Sequence, residues 1–480
     1  MERNGLIFTF SGIRGIFGKD LNFDIAKKIA ISFGKGFDSE NREVIVGRDT
    51  RPSGKSIEKG IVEGLVATGF KVINVGICPT PIIIHTKNLL NIPAGIIITG
   101  SHNSPEWNGL KLLSSITYLH NHDLEEISFS LKNVNFRNYN TNSKAIKRNV
   151  RFINPIPNYI KALYNHINIK KITKENNLRV VLDTGAGAGK CATPQILAGL
   201  GCEVKVINND LLVNDTFPRE IEPISKNLKD IIMEVWQGKF DVGFAHDSDA
   251  DRLAIIGENG VCYSEDIGLA LITEYFLKNN INQAKEFIFV TNLASSLMFE
   301  VIAEKYNAQV IRTQIGEVFL VEKMHNLLNE QTKSSMNRYI FGGEGSCGGV
   351  MFPDFNNTRD GLFAAAKIIE IMVETEESIS KLVSRLPKFF SHRKQISVNP
   401  KDVKAIISGV KQELISEGEE VSQYGNDLRF GKEKDWFVLI HPSNTEPIIR
   451  VICEAKVDSL ARIFCETTTE LIKIVIENQS

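Results

Sequence analysis

EVIVGRDTRPSGKSIEKGIVEGLVATGFKVINVGI, residues 43–77, decides the fold. It begins with a β-rich run, continues with apolar residues at helical spacing, and ends with a second β-rich run. Such a unit places two parallel strands on either side of a crossover helix. The apolar run AGIIITGS at 94–101 follows as a further strand, so we expect the chain to begin as an α/β sheet.

The same alternation restarts twice along the chain. LRVVLDTG at 178–185 and CEVKVIN at 202–208 open a second set of strands, with helical stretches between them. EFIFVTN at 286–292, AQVIRTQIG at 308–316 and YIFGGEGS at 339–346 open a third. Each restart marks a new βαβ series, so we predict three successive mixed α/β sandwich domains.

The last part of the chain has a different pattern. A helical segment at 402–420 is followed by two strand-like runs within 436–455 and an amphipathic segment at 460–477, which predicts a smaller α+β domain. Polar connections near 131–150 and at 384–395 are candidate boundaries. The predicted domains are 1–150, 151–255, 256–385 and 386–480.

Composition limits the classes of partner. The chain has 480 residues, 42% of them hydrophobic, and its 56 basic side chains nearly balance 57 acidic ones. This balance argues against a general affinity for nucleic acid or anionic membranes. The cysteines occur singly without CxxC spacing, which favours a reduced compartment over a zinc or redox site. Lacking a signal-peptide pattern or a long apolar run, the protein is expected to be cytoplasmic.

The first candidate loop is ITGSHNSPEWNGLK at 98–111. It follows an apolar strand and is rich in turn-forming residues, and ligands bind where parallel strands end. Ser101 and His102 are therefore expected to be an exposed nucleophile and its partner. The flanking residues lack the GxSxG pattern of serine hydrolases. Taken alone, the loop equally fits a plain polar turn.

The second candidate loop is HDSDADRLAIIGENG at 246–260. Asp247, Asp249 and Asp251 alternate along it and Arg252 follows. Carboxylates this close repel one another unless a cation lies among them, and an all-oxygen set suits Mg²⁺. A calcium EF-hand is excluded because arginine stands at the sixth position, where glycine is required. A solvated acidic turn is the alternative.

The third candidate loop is GGEGSCGG at 342–349, between two strand-like runs. Its glycines allow the backbone to approach a ligand, while Glu344 and Ser346 offer groups that can bond sugar hydroxyls. A glycine-rich hairpin without a ligand would have the same sequence pattern.

The fourth candidate loop is HPSNTEPIIR at 441–450. Ser443, Asn444 and Thr445 lie between two prolines, and their hydroxyl and backbone N–H groups can surround a phosphate, with Arg450 supplying charge. A turn that only connects two strands is the alternative.

Together, and in this order, the four loops resemble those of the α-D-phosphohexomutase superfamily. The resemblance extends from SGIRG at 11–15 through GRDTRPSG at 47–54 to PSNTEP at 442–447, nearly the whole chain. It is strongest toward archaeal and bacterial phosphoglucosamine or phosphomannose mutases. It implies four domains around a central cleft, with one loop from each domain.

The resemblance also implies an activity. The chain would be an isomerase that interconverts hexose 6-phosphate and hexose 1-phosphate through a phosphoserine and a hexose 1,6-bisphosphate. Glucosamine phosphate is the preferred substrate on this interpretation, with mannose or glucose phosphate as alternatives. We expect a small phosphosugar as partner, no nucleic acid or membrane, and a monomer or homodimer.

The resemblance assigns roles to individual residues. Ser101 would carry the phosphoryl group and bind Mg²⁺ together with Asp247, Asp249 and Asp251. The other implied roles are catalytic for Arg14, His102, Lys111 and Arg252, sugar-binding for Glu344 and Ser346, and phosphate-binding for His441, Ser443, Asn444, Thr445 and Arg450.

The chain departs from the family pattern at several positions. His441 stands where relatives usually have arginine, so one phosphate contact is expected to differ. Cys347 and Gly348 occupy positions where some relatives have a glycine and a histidine that assists proton transfer. Three further departures exchange one small residue for another. Gly100 stands where relatives commonly have alanine, Ser104 where they have proline, and Ser248 where they have glycine.

Two further functions are compatible with parts of this pattern. A non-catalytic phosphosugar-binding relative would keep the fold, although the intact Ser101, Lys111 and aspartates argue against it. A metal-dependent phosphatase would pass the phosphoryl group from Ser101 to water. Release of phosphate, measured beside isomerisation, distinguishes these functions from a mutase.

Overall fold

The computed structural model of the chain describes residues 2–3, 5–283, 285–333, 337–345, 349–443 and 446–479. In these residues the strands form four sheets, of which the first three are mixed and packed with helices, and the last is antiparallel. The predicted fold class, three α/β sandwich domains and a C-terminal α+β domain, is confirmed. The domain boundaries stay predictions.

The first sheet contains the βαβ unit of residues 43–77. Its elements are β1 (Glu2–Arg3), β2 (Leu6–Thr9), β3 (Gly12–Ile16), α1 (Phe23–Gly36), β4 (Glu43–Arg48), α2 (Gly54–Ala67), β5 (Lys71–Ile77), α3 (Thr80–Leu89), β6 (Ala94–Ile98), β7 (Trp107–Leu113), α4 (Asn121–Asn133), α5 (Ser143–Asn149) and β8 (Val150–Phe152). The strand order is β1-β2-β3-β7-β6-β4-β5-β8. Strands β6, β4, β5 and β8 run parallel, so the loop after β6 lies at the carboxyl edge of this group.

The second sheet has the order β10-β9-β11-β12, with β12 antiparallel to β11. Its elements are α6 (Ile156–Tyr164), α7 (Ile169–Glu175), β9 (Arg179–Asp183), α8 (Thr193–Gly199), β10 (Glu203–Ile207), α9 (Lys229–Gly238), β11 (Val242–Ala245) and β12 (Ala254–Gly257). The aspartate-rich loop connects β11 to β12. It therefore leaves the sheet at the carboxyl end of a fully buried strand.

The third sheet has the order β14-β13-β15-β16-β17. Its elements are α10 (Glu265–Asn280), β13 (Glu286–Asn292), α11 (Met298–Lys305), β14 (Gln309–Thr313), α12 (Glu317–Lys333), β15 (Arg338–Glu344), β16 (Gly349–Phe352), β17 (Asn356–Asp360), α13 (Gly361–Thr375) and α14 (Ile379–Val383). Helix α13 is apolar on nearly all sides, which is typical of a helix that is buried all round.

The fourth sheet is antiparallel, with the order β18-β22-β21-β20-β19. Its elements are β18 (Phe390–Ser397), α15 (Val403–Ser416), β19 (Ser422–Tyr424), β20 (Asp427–Lys432), β21 (Trp436–Pro442), β22 (Ile448–Ala455) and α16 (Asp458–Gln479). The polar run 384–395, which we expected to be a connection, contains most of β18. Pairing with β22 along its whole length makes this polar segment a strand.

One apolar core joins the first three sheets. It contains Ile45 of β4, Phe244 of β11, Phe341 of β15 and much of helix α13. The fourth sheet has a separate core between its strands and helices α15 and α16. The loops of the first three sheets are therefore fixed relative to one another by shared packing. None of the helices in the described ranges combines the length and apolarity needed to cross a bilayer.

Helices α1 and α2 approach closely because α2 carries glycine where the two helices meet. A Cβ atom on Gly60 would lie 2.3 Å from the carbonyl oxygen of Phe23, and one on Gly64 would lie 2.5 Å from that of Lys27. Backbone atoms cannot move aside as flexible side chains can, so any side chain at these positions separates the helices.

We predict that Gly64→Ala lowers the free energy of unfolding by about 1–3 kcal/mol through overpacking, although alanine favours a helix by about 1 kcal/mol over glycine. Gly36→Ala at the end of α1 is the control, because a Cβ there meets no described atom within 4 Å apart from its chain neighbours and the nearby backbone of its own helix. Urea unfolding followed by circular dichroism measures both variants. Equal midpoints for Gly64→Ala and the unaltered chain would show that the helices are not in tight contact.

Candidate active site

Ser101 lies in the first turn after β6 with a φ of +49°. This left-handed conformation is uncommon for residues with a side chain and is stabilised here by a 2.8 Å hydrogen bond from Ser101 N–H to Thr99 Oγ1. The Ser101 side chain lies 3.2 Å from Asp247 Oδ2. Ser101 is only 3% exposed, so the expectation of an exposed serine is wrong. The aspartate-rich loop of the second sheet covers it.

Arg51 holds the backbone of the Ser101 loop. This arginine is fully buried, and its five N–H groups donate to the Asp49 carboxylate and to the backbone carbonyls of Ser101, Asn103, Ser104 and Trp107. The Asp49 carboxylate also accepts a hydrogen bond from Thr99, and its Oδ2 lies 2.9 Å from Ser248 Oγ. The position of Ser101 is therefore set by a fully bonded guanidinium group.

Asp247, Asp249 and Asp251 form a buried carboxylate cluster, each at most 1% exposed. One oxygen from each lies within 4.8 Å of the others. Among the described residues, Oδ1 of Asp249 and Oδ1 of Asp251 are buried and accept no hydrogen bond. Buried carboxylate oxygens without a donor fit a hard divalent cation, which prefers oxygen ligands.

Lys111 and Arg359 partly neutralise this cluster. Lys111 Nζ on β7 lies 2.7 Å from Asp249 Oδ2 and 2.8 Å from Asp251 Oδ2. Arg359 Nη2 on β17 lies 2.9 Å from Asp251 Oδ2. The aspartates of the second sheet thus form ion pairs with both neighbouring sheets.

Burial and charge change the pKa values in the cluster. Burial, together with Asp249 and Asp251, raises the pKa of Asp247 well above its ordinary value. Burial also disfavours the charged form of Asp251, but Arg359 and Lys111 outweigh it and lower the pKa of Asp251. Lys111 is buried too, and the two aspartates that it contacts raise its pKa. The cluster therefore favours a cation beside Asp247.

His102, Arg252 and Arg14 surround Ser101. His102 Nδ1 lies 3.3 Å from Ser101 Oγ and 3.0 Å from Arg252 Nη2. The Arg252 charge and burial lower the pKa of His102 well below its ordinary value, so the imidazole is neutral at pH 7. Arg14 donates to the side-chain oxygen of Asn103 in the same loop. Burial lowers the pKa of Arg14 to about 10, and it stays cationic at pH 7.

Glu344 lies at the end of β15 and is connected to the carboxylate cluster through Arg359. Its Oε2 is 3.4 Å from Arg359 Nη1, while its Oε1 accepts hydrogen bonds from Asn292 Nδ2 at 3.1 Å and Gly316 N–H at 3.0 Å. These contacts fix the carboxylate of Glu344 at the edge of the cluster. Ser346, the other predicted sugar-binding residue, lies outside the described residues, as do Cys347 and Gly348.

Described residues of the fourth predicted loop make polar contacts within the C-terminal sheet. His441 is buried on β21, and its Nδ1 lies 2.7 Å from Asp427 Oδ1 on β20. Arg450 on β22 is the strand partner of His441 and forms an ion pair with Glu446. Ser443 Oγ accepts a hydrogen bond from the Glu446 N–H. Asn444 and Thr445 lie outside the described residues.

Several residues of the site were not assigned a role from the sequence. Arg51 belongs to the GRDTRPSG segment, and its place between Asp49 and a proline is the sequence signal that could have indicated its role. Arg359 precedes the apolar helix α13 in TRDGLFAAA, and a lone arginine beside a buried helix is a sign of a buried ion pair. Thr80, whose Oγ1 lies 2.6 Å from Asp249 Oδ2, has no sequence signal beyond the start of α3.

Family models match most of the chain. Residues 5–137, 157–260 and 264–390 match the models of the phosphoglucomutase/phosphomannomutase α/β/α domains I, II and III. The matches follow the order of the first three sheets. Each of the first three candidate loops therefore falls in one of these domains.

Relatives match over the full length. A phosphoglucomutase/phosphomannomutase from Thermococcus kodakarensis is 35% identical over 98% of this chain and 99% of its own. A probable phosphoglucosamine mutase from Pyrococcus horikoshii is 31% identical over 99% of this chain and 100% of its own.

Solved structures share the fold. A phosphoglucomutase/phosphomannomutase family protein from Burkholderia thailandensis has a TM-score of 0.79 at 23% identity and covers 99% of this chain and 98% of its own. An Aspergillus fumigatus N-acetylphosphoglucosamine mutase, solved with GlcNAc-6P and magnesium, has a TM-score of 0.59 at 13% identity, covering 98% and 96%. The chain belongs to the phosphoglucomutase/phosphomannomutase family of the α-D-phosphohexomutase superfamily and is a phosphohexomutase, an intramolecular phosphotransferase of the isomerase class.

Proposed function

We propose that the chain interconverts hexose 6-phosphate and hexose 1-phosphate through a phosphorylated Ser101. The observation that most supports this is the 3.2 Å separation of Ser101 Oγ and Asp247 Oδ2 at the edge of a buried carboxylate cluster. Phosphoryl transfer depends mainly on positioning and charge stabilisation. A hydroxyl beside hard-cation ligands and fixed cations meets both requirements.

The two half-reactions balance. In the first, the bond between phosphorus and Ser101 Oγ breaks, a free sugar hydroxyl takes the phosphoryl group, and its proton passes to Ser101. The product is hexose 1,6-bisphosphate, which then reverses its orientation in the cleft. In the second, Ser101 takes the other phosphoryl group and the sugar oxygen regains the proton. The sugar is isomerised and no phosphate is released.

Asp247, Asp249 and Asp251 would hold Mg²⁺ together with an oxygen of phosphorylated Ser101. The unpaired Oδ1 atoms of Asp249 and Asp251 support this assignment. When bound, the ion supplies positive charge to the transferring phosphoryl group. Altering Asp249 or Asp251 removes a contact with Lys111, whereas altering Asp247 removes the contact with Ser101.

The cationic side chains around Ser101 stabilise charge during transfer. Lys111, Arg252 and Arg14 would contact the phosphoryl oxygens, since a loose transition state places charge on them. His102 Nδ1 accepts a hydrogen bond from Arg252 and lies 3.3 Å from Ser101 Oγ, so the neutral imidazole would orient the Arg252 guanidinium toward the phosphoryl group on Ser101.

The sugar and the second phosphate would bind on the other side of the cleft. Glu344 and Ser346 would bond the sugar hydroxyls. The phosphate that does not react would contact residues of the fourth loop, namely His441, Ser443, Asn444, Thr445 and Arg450. The Asp427 carboxylate beside His441 Nδ1 holds a proton on that nitrogen and orients the ring.

Glucosamine phosphate is the proposed preferred sugar, and the name of the Pyrococcus horikoshii relative supports this choice. The Thermococcus kodakarensis relative is named for glucose and mannose phosphates, which are the alternatives. Conversion of glucosamine, glucose and mannose 1-phosphates to the 6-phosphates tests the choice. A higher kcat/KM for glucose or mannose 1-phosphate would change the assigned sugar and leave the assignment as a mutase intact.

We predict that Ser101→Ala lowers mutase turnover by about 10³-fold or more while the chain remains folded, because the variant has no oxygen to carry the phosphoryl group. Ser104→Ala in the same loop is the matched control, since its hydroxyl bonds only the neighbouring Glu106 among the described contacts. Coupled turnover assays and phosphate release are measured together. Turnover within a few-fold of the unaltered chain would remove Ser101 from the reaction, and stoichiometric phosphate release would indicate a phosphatase.

We predict that Asp249→Asn weakens Mg²⁺ binding by about tenfold or more and lowers turnover, since it removes one of three charges that hold a hard cation. Asp210→Asn is the control, because Asp210 is exposed and its described contacts are with Lys190 at 3.1 Å and Asn209 at 3.4 Å. Calorimetry with Mg²⁺ gives the affinity directly. Full activity of the unaltered chain in excess chelator would contradict the assignment.

We predict that His441→Ala raises the KM for the hexose phosphate about tenfold and changes kcat by less than about threefold, because a contact with the non-reacting phosphate contributes to ground and transition states alike. The exposed His122→Ala variant is the control. Steady-state kinetics at saturating bisphosphate activator measure both parameters. An unchanged KM would show that His441 contacts Asp427 and does not bind the phosphate.

A further inference from the structure

Ser248 lies between two of the clustered aspartates, and its hydroxyl contacts the first sheet. Its Oγ lies 2.7 Å from the carbonyl oxygen of Ser101 and 2.9 Å from Asp49 Oδ2. The residue is fully buried. The hydroxyl has one proton for two acceptors, and the shorter contact is with the Ser101 carbonyl. The aspartate loop is thus connected directly to the peptide of Ser101.

The Ser101 peptide needs such support. Its backbone has a positive φ, and the preceding Gly100 has no side chain to restrict it. A Cβ on Gly100 would lie 2.6 Å from Arg51 Cζ, so the glycine lets the guanidinium pack against the backbone. Glycine also allows the peptide more freedom. Ser248 and Arg51 Nη2 together occupy both lone pairs of the Ser101 carbonyl and remove that freedom.

We propose that Ser248 is a positioning residue that fixes Ser101 for phosphoryl transfer, an inference that rests on the proposed role of Ser101. Ser248 belongs to the same loop as Asp247, whose carboxylate accepts a hydrogen bond from the Ser101 hydroxyl. The hydrogen bond to the Ser101 carbonyl sets the distance between the nucleophile and the carboxylate cluster. Without it, the Ser101 carbonyl keeps the hydrogen bond from Arg51 as its one described contact, and Ser101 samples orientations in which the phosphoryl group is not transferred.

The hydroxyl can be removed without leaving its acceptors unpaired. In Ser248→Ala the Ser101 carbonyl keeps its 2.8 Å bond from Arg51, and Asp49 keeps bonds from Arg51 and Thr99. The alanine retains the Cβ atom, so no sizeable cavity forms. The effect should therefore fall on the reaction and not on folding.

The test compares Ser248→Ala with the unaltered Mg²⁺-loaded chain. We expect kcat to fall about 3- to 10-fold, the equivalent of one neutral hydrogen bond, with KM changed less than about twofold. The rate of phosphoryl transfer from hexose 1,6-bisphosphate to Ser101 in a single turnover should fall by the same factor. The thermal midpoint should change no more than that of Ser32→Ala, a buried hydroxyl on α1 without a partner in the described chain.

An unchanged kcat and single-turnover rate would overturn the proposal. A loss that accompanies a lower thermal midpoint, or that falls equally on KM, would also overturn it, because it would show a general structural role. Ser101→Ala is assayed in parallel. If that variant remains active, the proposed function itself fails, whereas an inactive Ser101→Ala beside a fully active Ser248→Ala rejects only the positioning role.

Discussion

Three carboxylates buried side by side impose the constraint on which the rest of the structure depends. Asp247, Asp249 and Asp251 have almost no contact with solvent, and buried charges persist only when they are paired. Lys111 comes from the first sheet and Arg359 from the third. Removing either would leave an uncompensated charge, so the arrangement of the three sheets and the charge balance of the site cannot be separated.

Two residues with strained backbones lie in the same place. Ser101 has a φ of +49° and Ala250, between two of the aspartates, has a φ of +56°. Such conformations cost about 1–2 kcal/mol each for residues with a side chain. They persist where the surroundings leave no alternative, and here Arg51 bonds the backbone of one loop while Lys111 bonds the side chains of the other. In this conformation Ser101 Oγ lies 3.2 Å from Asp247 Oδ2.

The sequence predicts the parts of this structure that depend on neighbours along the chain. The unit 43–77 and the restarts after it are visible because strand and helix periodicities are local. The loops of Ser101 and Asp247 are visible because polar turn formers end apolar strands. The burial of Ser101 is not visible in the sequence, since the loop that covers Ser101 lies about 150 residues away along the chain. Strand β18 was missed for the same reason, because its pairing with β22 is distant in sequence.

The fourth loop shows how differently the C-terminal sheet is attached. The first three sheets share one apolar core, whereas the fourth contacts the third through a small apolar cluster and through Glu454. The Glu454 carboxylate accepts hydrogen bonds from Ser296 Oγ at 3.0 Å and from Leu297 N–H at 2.6 Å, at the start of α11. Burial raises the pKa of Glu454 to about 7. The groups proposed for chemistry are thus fixed by extensive packing. Those proposed to hold the second phosphate lie on a sheet that is joined by a small apolar cluster, the hydrogen bonds of Glu454 and the Lys434–Glu304 ion pair. If the substrate binds in two orientations, as proposed, the reaction centre must be rigid. The proposed phosphate contacts lie instead on a sheet with a separate core.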